Sequence, residues 1–367
     1  MVRLLALVHK PPGVSPGQRF RLEQWRPHLE SNHDISIDFS AFESAGLTDV
    51  MYRVGHRLEK AGRLLLDTWR RRKILALARN YDGVVVYREA SALGPAIYER
   101  LLEGSRIPII YDFDDAIWLP TVGSVNGPFR HLRFAGKTAA ICRLASAVSV
   151  GNQYLAEWAQ KHNPRVFVVP TSISLQHYSL RAQPPADAPL VVGWIGSHST
   201  LVHLELLREP LRRLGLHRRF RLRIVCDRPP VREFAGPETE FIPWSRDGEV
   251  DAIAGMHIGV MPLTNDAAAR GKCACKALQY MAVGRPAVVS PVGINTDIIQ
   301  HHQNGLLAAN DDEWFEALNS LAGSSLLRNQ LGQAGRKTVE DGFSSEQSAA
   351  AFAEVVRFAL SSQSRRS

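Results

Sequence analysis

The sequence predicts an α/β protein built from two doubly wound, Rossmann-like domains facing a central cleft. Three observations carry this. Short apolar, β-branched runs alternate with longer helical patterns from one end of the chain to the other, the mark of βαβ units around parallel sheets. One Pro-rich stretch, Arg181–Pro189, interrupts the alternation near the middle. At 367 residues the chain is long for one domain and suits two, each of roughly 150 to 200 residues.

In the first half, Leu4–Val8, Gly83–Tyr87, Pro108–Tyr111, Ala147–Val150 and Val166–Val169 read as buried strands. Val50–Ala78, Ala92–Leu102, His131–Leu144 and Gln153–Lys161 read as helices. After the break, the expected strands are Leu190–Ile195, Leu222–Cys226, Glu240–Ile242, Ile258–Met261 and Ala287–Ser290. The expected helices are Leu201–Leu214, Ala274–Val283, Asn295–His301, Asp312–Leu321, Ser325–Asp341 and Ser345–Leu360. The domains are placed at 1–183 and 184–344.

Composition narrows the function classes. A hydrophobic fraction of 45% with 22% charged residues is that of a globular protein with real cores. Four cysteines in a chain of this size make no disulfide framework and point to a reducing compartment. Met1–His9 reads as a first strand and lacks the build of a signal peptide. No run reaches the roughly 20 apolar residues of a spanning helix, so the expected location is cytoplasmic.

The net charge of +8 sits in the first half, with 24 Lys/Arg against 16 Asp/Glu over residues 1–185 and 20 against 20 afterwards. Arg53–Arg79 is the densest part. It is read either as a solvated helix face or as a contact for an anionic membrane surface, which would make the protein peripheral on the inner face of the membrane. No nucleic-acid signature accompanies it.

The segment Gly259–Gly293 is the most informative. It runs strand, polar loop, helix, Gly284 stop, Pro286, strand. Its loop, Arg270-Gly-Lys-Cys-Ala-Cys-Lys276, puts cations beside the free N–H groups of a helix start, where they oppose the helix dipole. An anion at that place explains them, and a helix N-terminus is a ready phosphate site. The alternative is a solvent-facing basic loop. Cys273 and Cys275 lack the partners of a zinc site and read as packing.

Other candidates follow strands. The loop Lys10–Arg21 is rich in Gly and Pro; its Gly13 allows close backbone approach, and Arg19 and Arg21 are candidates for phosphate or an acidic acceptor. It carries no Gly-x-Gly-x-x-Gly, which argues against a nicotinamide-dependent oxidoreductase. Asp112-Phe-Asp-Asp115 has the spacing of a metal site, but acceptor binding or base assistance is the favoured role for Asp112, Asp114 and Asp115; a cap is the bland alternative. Gly196 and Ser197 open a helix and are placed at phosphate, or serve as a plain N-cap. Asp227 and Trp244 follow strands and are placed in the nucleotide pocket, with Trp244 alternatively in the core.

Taken in order, these motifs resemble group 1, family-4 retaining glycosyltransferases of GT-B fold. The resemblance runs from Gly259 through Asn295-Thr-Asp-Ile-Ile, Asn304-Gly-Leu-Leu307 and the Asp312-Glu-Trp helix. It continues more weakly in Val169-Pro-Thr-Ser-Ile-Ser174 and Val192-Gly-Trp-Ile-Gly-Ser197. It implies sugar transfer from a nucleotide sugar, with retention, without cofactor or metal, to a glycan, a lipid-linked sugar or a small molecule. It also implies that the last helix, within 345–367, crosses back to the first domain. The donor site it implies comprises Gly13, Arg19, Gly196, Ser197, Asp227, Trp244, Arg270, Gly271, Lys272, Cys273, Ala274, Lys276 and Gln279. Asp112, Asp114, Asp115, Lys272 and Lys276 are the expected catalytic groups. Two family glutamates, eight positions apart, are replaced here by Gly271 and Gln279. A weakly catalytic GT-B module that binds a nucleotide or a partner, and an epimerase or phosphorylase, are the rival readings.

Overall fold

The computed structural model describes residues 1–51, 55–92, 94–119, 134, 136–185 and 188–364. Arg53, residues 131–133 of one expected helix, two positions of the Pro-rich stretch and the last three residues lie outside them. The chain divides into two compact units, Met1–Pro170 with Glu346–Ser367, and Thr171–Ser345.

The first unit holds six parallel strands: β1 (Val2–Val8), β2 (Ile35–Ala41), β3 (Gly83–Tyr87), β4 (Ile109–Phe113), β5 (Ala147–Val150) and β6 (Val166–Val168), in the order β2-β1-β3-β4-β5-β6. The central strands β3, β4 and β5 are buried along their whole length, as expected where helices cover both faces. β2 is the strand that the search for buried apolar runs passes over. Ile35-Ser-Ile-Asp-Phe alternates polar and apolar residues because the strand lies at the sheet edge. The C-terminal helix Ser345–Ser364 supplies Ala349, Phe352, Val355, Val356 and Ala359 to the core formed by Leu4, Trp25 and Ile37. Phe352 packs on Trp25 at 5.2 Å between ring centroids.

The second unit repeats the scheme with β7 (Val191–Ile195), β8 (Arg221–Cys226), β9 (Glu238–Pro243), β10 (Ile258–Met261), β11 (Ala287–Val289) and β12 (Leu306–Leu307), in the order β12-β11-β10-β7-β8-β9. The start of the Pro-rich stretch is not a free linker: Arg285 donates to the carbonyls of Arg181 and Ala182, and Gln183 donates to the carbonyl of Gly284, so these three residues are bound into the second unit, which begins at Thr171. The boundary therefore falls earlier, at Pro170. Leu201–Leu214 is a 3-10 segment, His198–Leu207, followed by an α-helix, Arg208–His217.

Two glycines on the helix Ser325–Gly342 let it lie against the helix Cys275–Ala282. A Cβ at Gly332 would come within 2.2 Å of the Gly284 carbonyl oxygen, and one at Gly335 within 3.1 Å of Met281. Backbone cannot rotate away as a side chain can, so Gly332→Ala is expected to cost about 2 kcal/mol, read as a lower denaturation midpoint at unchanged m-value. Among the described residues no helix is long and apolar enough to cross a membrane.

Candidate functional site: a half-buried cation at a switch point

In the second sheet the chain direction of winding reverses between β7 and β10, the switch point where open α/β sheets bind ligands beyond their strand ends. The loops after these two strands carry the residues singled out above. After β7 comes Gly196, packed so closely over Trp194 that a Cβ would lie 2.5 Å from the indole. Ser197 follows, its hydroxyl 2.8 Å from that of Ser199. After β10 comes the short helix Ala267–Arg270, capped by Asp266, then Gly271, Lys272 and Cys273. Ala274 starts the helix Cys275–Ala282 at φ +53°, a left-handed conformation that costs a non-glycine residue about 1 kcal/mol.

Lys276 is the centre of this arrangement. Its ammonium lies 4.5 Å from the centroid of Trp194 and donates to Thr200 Oγ1 at 3.3 Å. No carboxylate among the described residues pairs with it. Burial first, and Lys272 second, push its pKa down to about 7. His203 borders the same cluster; burial and the two lysines lower it to about 4. Trp194 Nε1 and His203 Nδ1 are buried without hydrogen-bond partners. Two lysines, unsaturated ring nitrogens and a helix N-terminus make a place whose charge an anion would balance.

The remaining candidates sort by geometry. Asp227, after β8, braces the first loop: its carboxylate accepts from the His198 amide at 2.6 Å and meets His198 Nδ1 at 2.5 Å. Burial alone would raise its pKa, but these bonds lower it. Arg270 donates to Asn265 at 3.0 Å. Gly271 takes an ordinary right-handed conformation, and Cys273 is buried with its thiol 3.8 Å from the Gly271 carbonyl.

Gln279 and Trp244 are joined by a chain that the sequence did not disclose. Gln279 Nε2 donates to the Tyr178 hydroxyl at 2.8 Å, Tyr178 donates to Glu249 at 2.5 Å, and Trp244 Nε1 donates to the other Glu249 oxygen at 2.9 Å. The indole can only donate and a carboxylate can only accept, so every bond in the chain has a fixed direction. The amide of Gln279 is thereby oriented with Nε2 toward Tyr178. Its Oε1 is left as an acceptor whose recorded neighbour is the Cys275 thiol, at 4.0 Å. Tyr178 and Glu249 carry no motif, and only tertiary proximity reveals them.

In the first unit, the acidic triplet after β4 separates into three roles. Asp112 and Arg21 are both fully buried and pair through Nη2 at 2.5 Å and Nε at 3.1 Å; Arg21 also donates to the Val169 carbonyl and to Ser149. Neither is presented to a ligand. The reason is local: a π-type turn over Arg19–Glu23 turns four consecutive residues, Arg19 to Leu22, inward. Arg19 is 3% exposed, its guanidinium 4.6 Å from the Phe20 ring. Asp115 accepts from the amide of the next residue, Ala116. Asp114 receives Tyr87 at 2.8 Å and Arg88 at 2.7 Å. Burial would raise its pKa, but Arg88 and Arg21 bring it below the usual value. Arg88 itself adopts φ +63°. Gly13 sits at φ +85°, its amide held by Glu23 at 2.8 Å. His9, after β1, meets the buried Glu43 at 3.0 Å; no motif marked that pair. Among the described residues no group of three or more His, Cys, Asp and Glu side chains is arranged to hold a metal ion.

Comparison with known proteins bears on the family and the fold. Residues 189–324 match the family model described as glycosyl transferases group 1. No curated relative matches the chain by sequence. Among solved structures, sucrose-phosphate synthase from Thermosynechococcus elongatus is similar at 14% identity, TM-score 0.68, covering 99% of this chain and 100% of its own. A glycosyltransferase from Rickettsia africae is similar at 12% identity, TM-score 0.67, covering 98% of each. Anabaena HepE, solved with UDP-glucose, is similar at 13% identity, TM-score 0.67, covering 97% of this chain and 100% of its own. The chain therefore has the GT-B glycosyltransferase fold, with the group 1 family match lying in its second unit.

Proposed function

We propose that the protein transfers a sugar from a nucleoside diphosphate sugar, held by the second unit, to an acceptor hydroxyl, with retention of configuration and without a metal. The observation that carries this reading is Lys276: a largely desolvated ammonium with no carboxylate partner among the described residues, at a helix N-terminus on the switch-point loop. In the reaction the bond from the anomeric carbon to the diphosphate breaks and its electrons stay on the diphosphate; the acceptor oxygen bonds to carbon, and the proton of the acceptor hydroxyl passes to the departing diphosphate oxygen. Lys276, Lys272 and the free N–H groups of the Cys275–Ala282 helix face the charge that grows on the leaving group, the largest lever available without a metal. Gln279 Oε1 accepts from a ribose hydroxyl, and Trp244 borders the base. Asp114, Asp115 and the Gly13 loop are the acceptor groups. Glycans, lipid-linked sugars and small alcohols are the acceptor classes.

Incubation with a panel of nucleotide sugars, UDP-glucose first because HepE was solved with it, should release the nucleoside diphosphate; the rate should be unchanged by EDTA. A panel in which no donor is bound or turned over sinks the reading and leaves a partner-binding module. Interconversion of the donor without acceptor marks an epimerase. Tyr178→Phe removes the bond that orients Gln279, and the Michaelis constant for the donor is expected to rise about tenfold with kcat little changed. A loss confined to kcat would contradict the ribose role.

One observation favours a second reading. His9 and Glu43 have the make-up of an imidazole oriented by a carboxylate, as in a general base. Were His9 to take the acceptor proton for a direct displacement, the product would be inverted. The anomeric configuration of the product, read by NMR coupling constants, separates the two.

A further inference from the structure

The helix Arg57–Arg70 is turned the wrong way round for a helix that only covers a sheet. Leu58, Leu65 and Trp69 are spaced seven and four apart and share one face, at 90%, 64% and 57% exposure, with Leu66 beside them at 43%. The opposite face is held to the unit by Leu64, packed with Phe42 and Leu47, and by polar contacts. Asp67, 3% exposed, accepts from the amide and the hydroxyl of Ser44. Arg71, 5% exposed, donates to the carbonyls of Ala90, Ser40 and Val8, clasping the ends of β1, β2 and β3. Burial lowers the pKa of that guanidinium to about 10. Arg71 is thus taken out of the basic surface expected over Arg53–Arg79, whereas Arg57, Arg70, Arg72, Lys73 and Arg79 are exposed, Arg70 pairing with Asp67 at 3.2 Å and Arg72 and Lys73 following Trp69 by three and four positions. Against them, Glu59 is the one exposed acid over 57–79.

We propose that this face docks the protein on a lipid leaflet carrying anionic headgroups, with Leu58, Leu65 and Trp69 entering the headgroup–acyl boundary and the flanking cations meeting the headgroups. An apolar stripe with cations at its borders is the make-up of an in-plane membrane helix. Charge argues against a second copy of the chain as the occupant, since pairing two such faces would bring the cations of both together. The docking surface rests on no part of the donor site.

The test is sedimentation of the full chain with vesicles of phosphatidylcholine alone and of phosphatidylcholine mixed with phosphatidylglycerol. Binding is expected only to the mixed vesicles, to fall with added salt, and to drop at least about tenfold in Leu58→Ser/Leu65→Ser/Trp69→Ser and in Arg72→Glu/Lys73→Glu. Leu216→Ser, at another leucine that is 71% exposed, should leave it unchanged. Independently of any destabilised variant, the fluorescence lost on Trp69→Phe should correspond to a component that shifts to the blue when vesicles are added. Absence of binding to the mixed vesicles, binding indifferent to both multiple variants, or a dimer in light scattering that the leucine variant dissociates would overturn the proposal.

Discussion

Replacing Lys276 by methionine is expected to weaken nucleoside diphosphate binding about a hundredfold, by removing charge-assisted bonds to the diphosphate, while making the empty protein more stable near pH 6. Both effects have one cause. The ammonium is desolvated and lies near Lys272, so its pKa falls from 10.5 to about 7. A lysine whose folded pKa lies below its unfolded value is protonated at a cost in the folded state. The penalty is complete below about pH 7 and relaxes as pH rises from there toward 10.5, because over that range the unfolded chain binds the extra proton. The side chain keeps some exposure, so solvent relaxes part of the penalty. A gain of about 2 kcal/mol at pH 6 is the expected size for methionine, shrinking toward pH 10. Calorimetric titration with UDP, GDP, ADP and dTDP, alongside urea denaturation across pH, measures both. Unchanged nucleotide affinity in the variant would remove Lys276 from the phosphate site. A binding constant that weakens above pH 7 in the parent protein, as the ammonium loses its proton, would support its place there.

The second large effect is expected in the first unit. Asp112→Ala leaves the guanidinium of Arg21 buried and without its charge partner, at a cost of about 3 to 5 kcal/mol. Arg21 also ties the π-type turn to the residue after β6 through the Val169 carbonyl and to β5 through Ser149. The loss should therefore appear as unfolding of the first unit at a lower temperature, with donor binding by the second unit retained. The paired change Arg21→Met/Asp112→Leu removes both charges and should recover most of the stability. Equal loss in the single and the paired variants would mean that packing, not the uncompensated charge, dominates. A kinetic defect without a stability defect would instead return Asp112 to the acceptor site.

Residue patterns by themselves determined the class of the fold and singled out the segment in which the donor site is proposed. Buried runs such as Val84-Val-Val86 and Val288-Val289 have one economical fate, the middle of a parallel sheet, and Gly284 with Pro286 marks a helix end from local backbone preference alone. The lysines of the 270–276 loop were legible because charge placed against a helix dipole asks for an explanation. What sequence could not supply was which polar groups meet. Asp112, Asp114 and Asp115 look alike in the chain, yet one is locked to Arg21, one to Arg88 and Tyr87, and one accepts from the next amide, because Asp112 lies within β4 against the inward π-type turn whereas Asp114 and Asp115 lie beyond the end of the strand. The Gln279–Tyr178–Glu249–Trp244 chain draws on residues up to 101 positions apart. The outward leucines of Arg57–Arg70 have the spacing of an ordinary buried stripe, and only the packing of Asp67 and Arg71 against the sheet shows that this stripe faces out. Periodicity is a property of the chain; which face is inside is decided by what the rest of the fold offers to pack against.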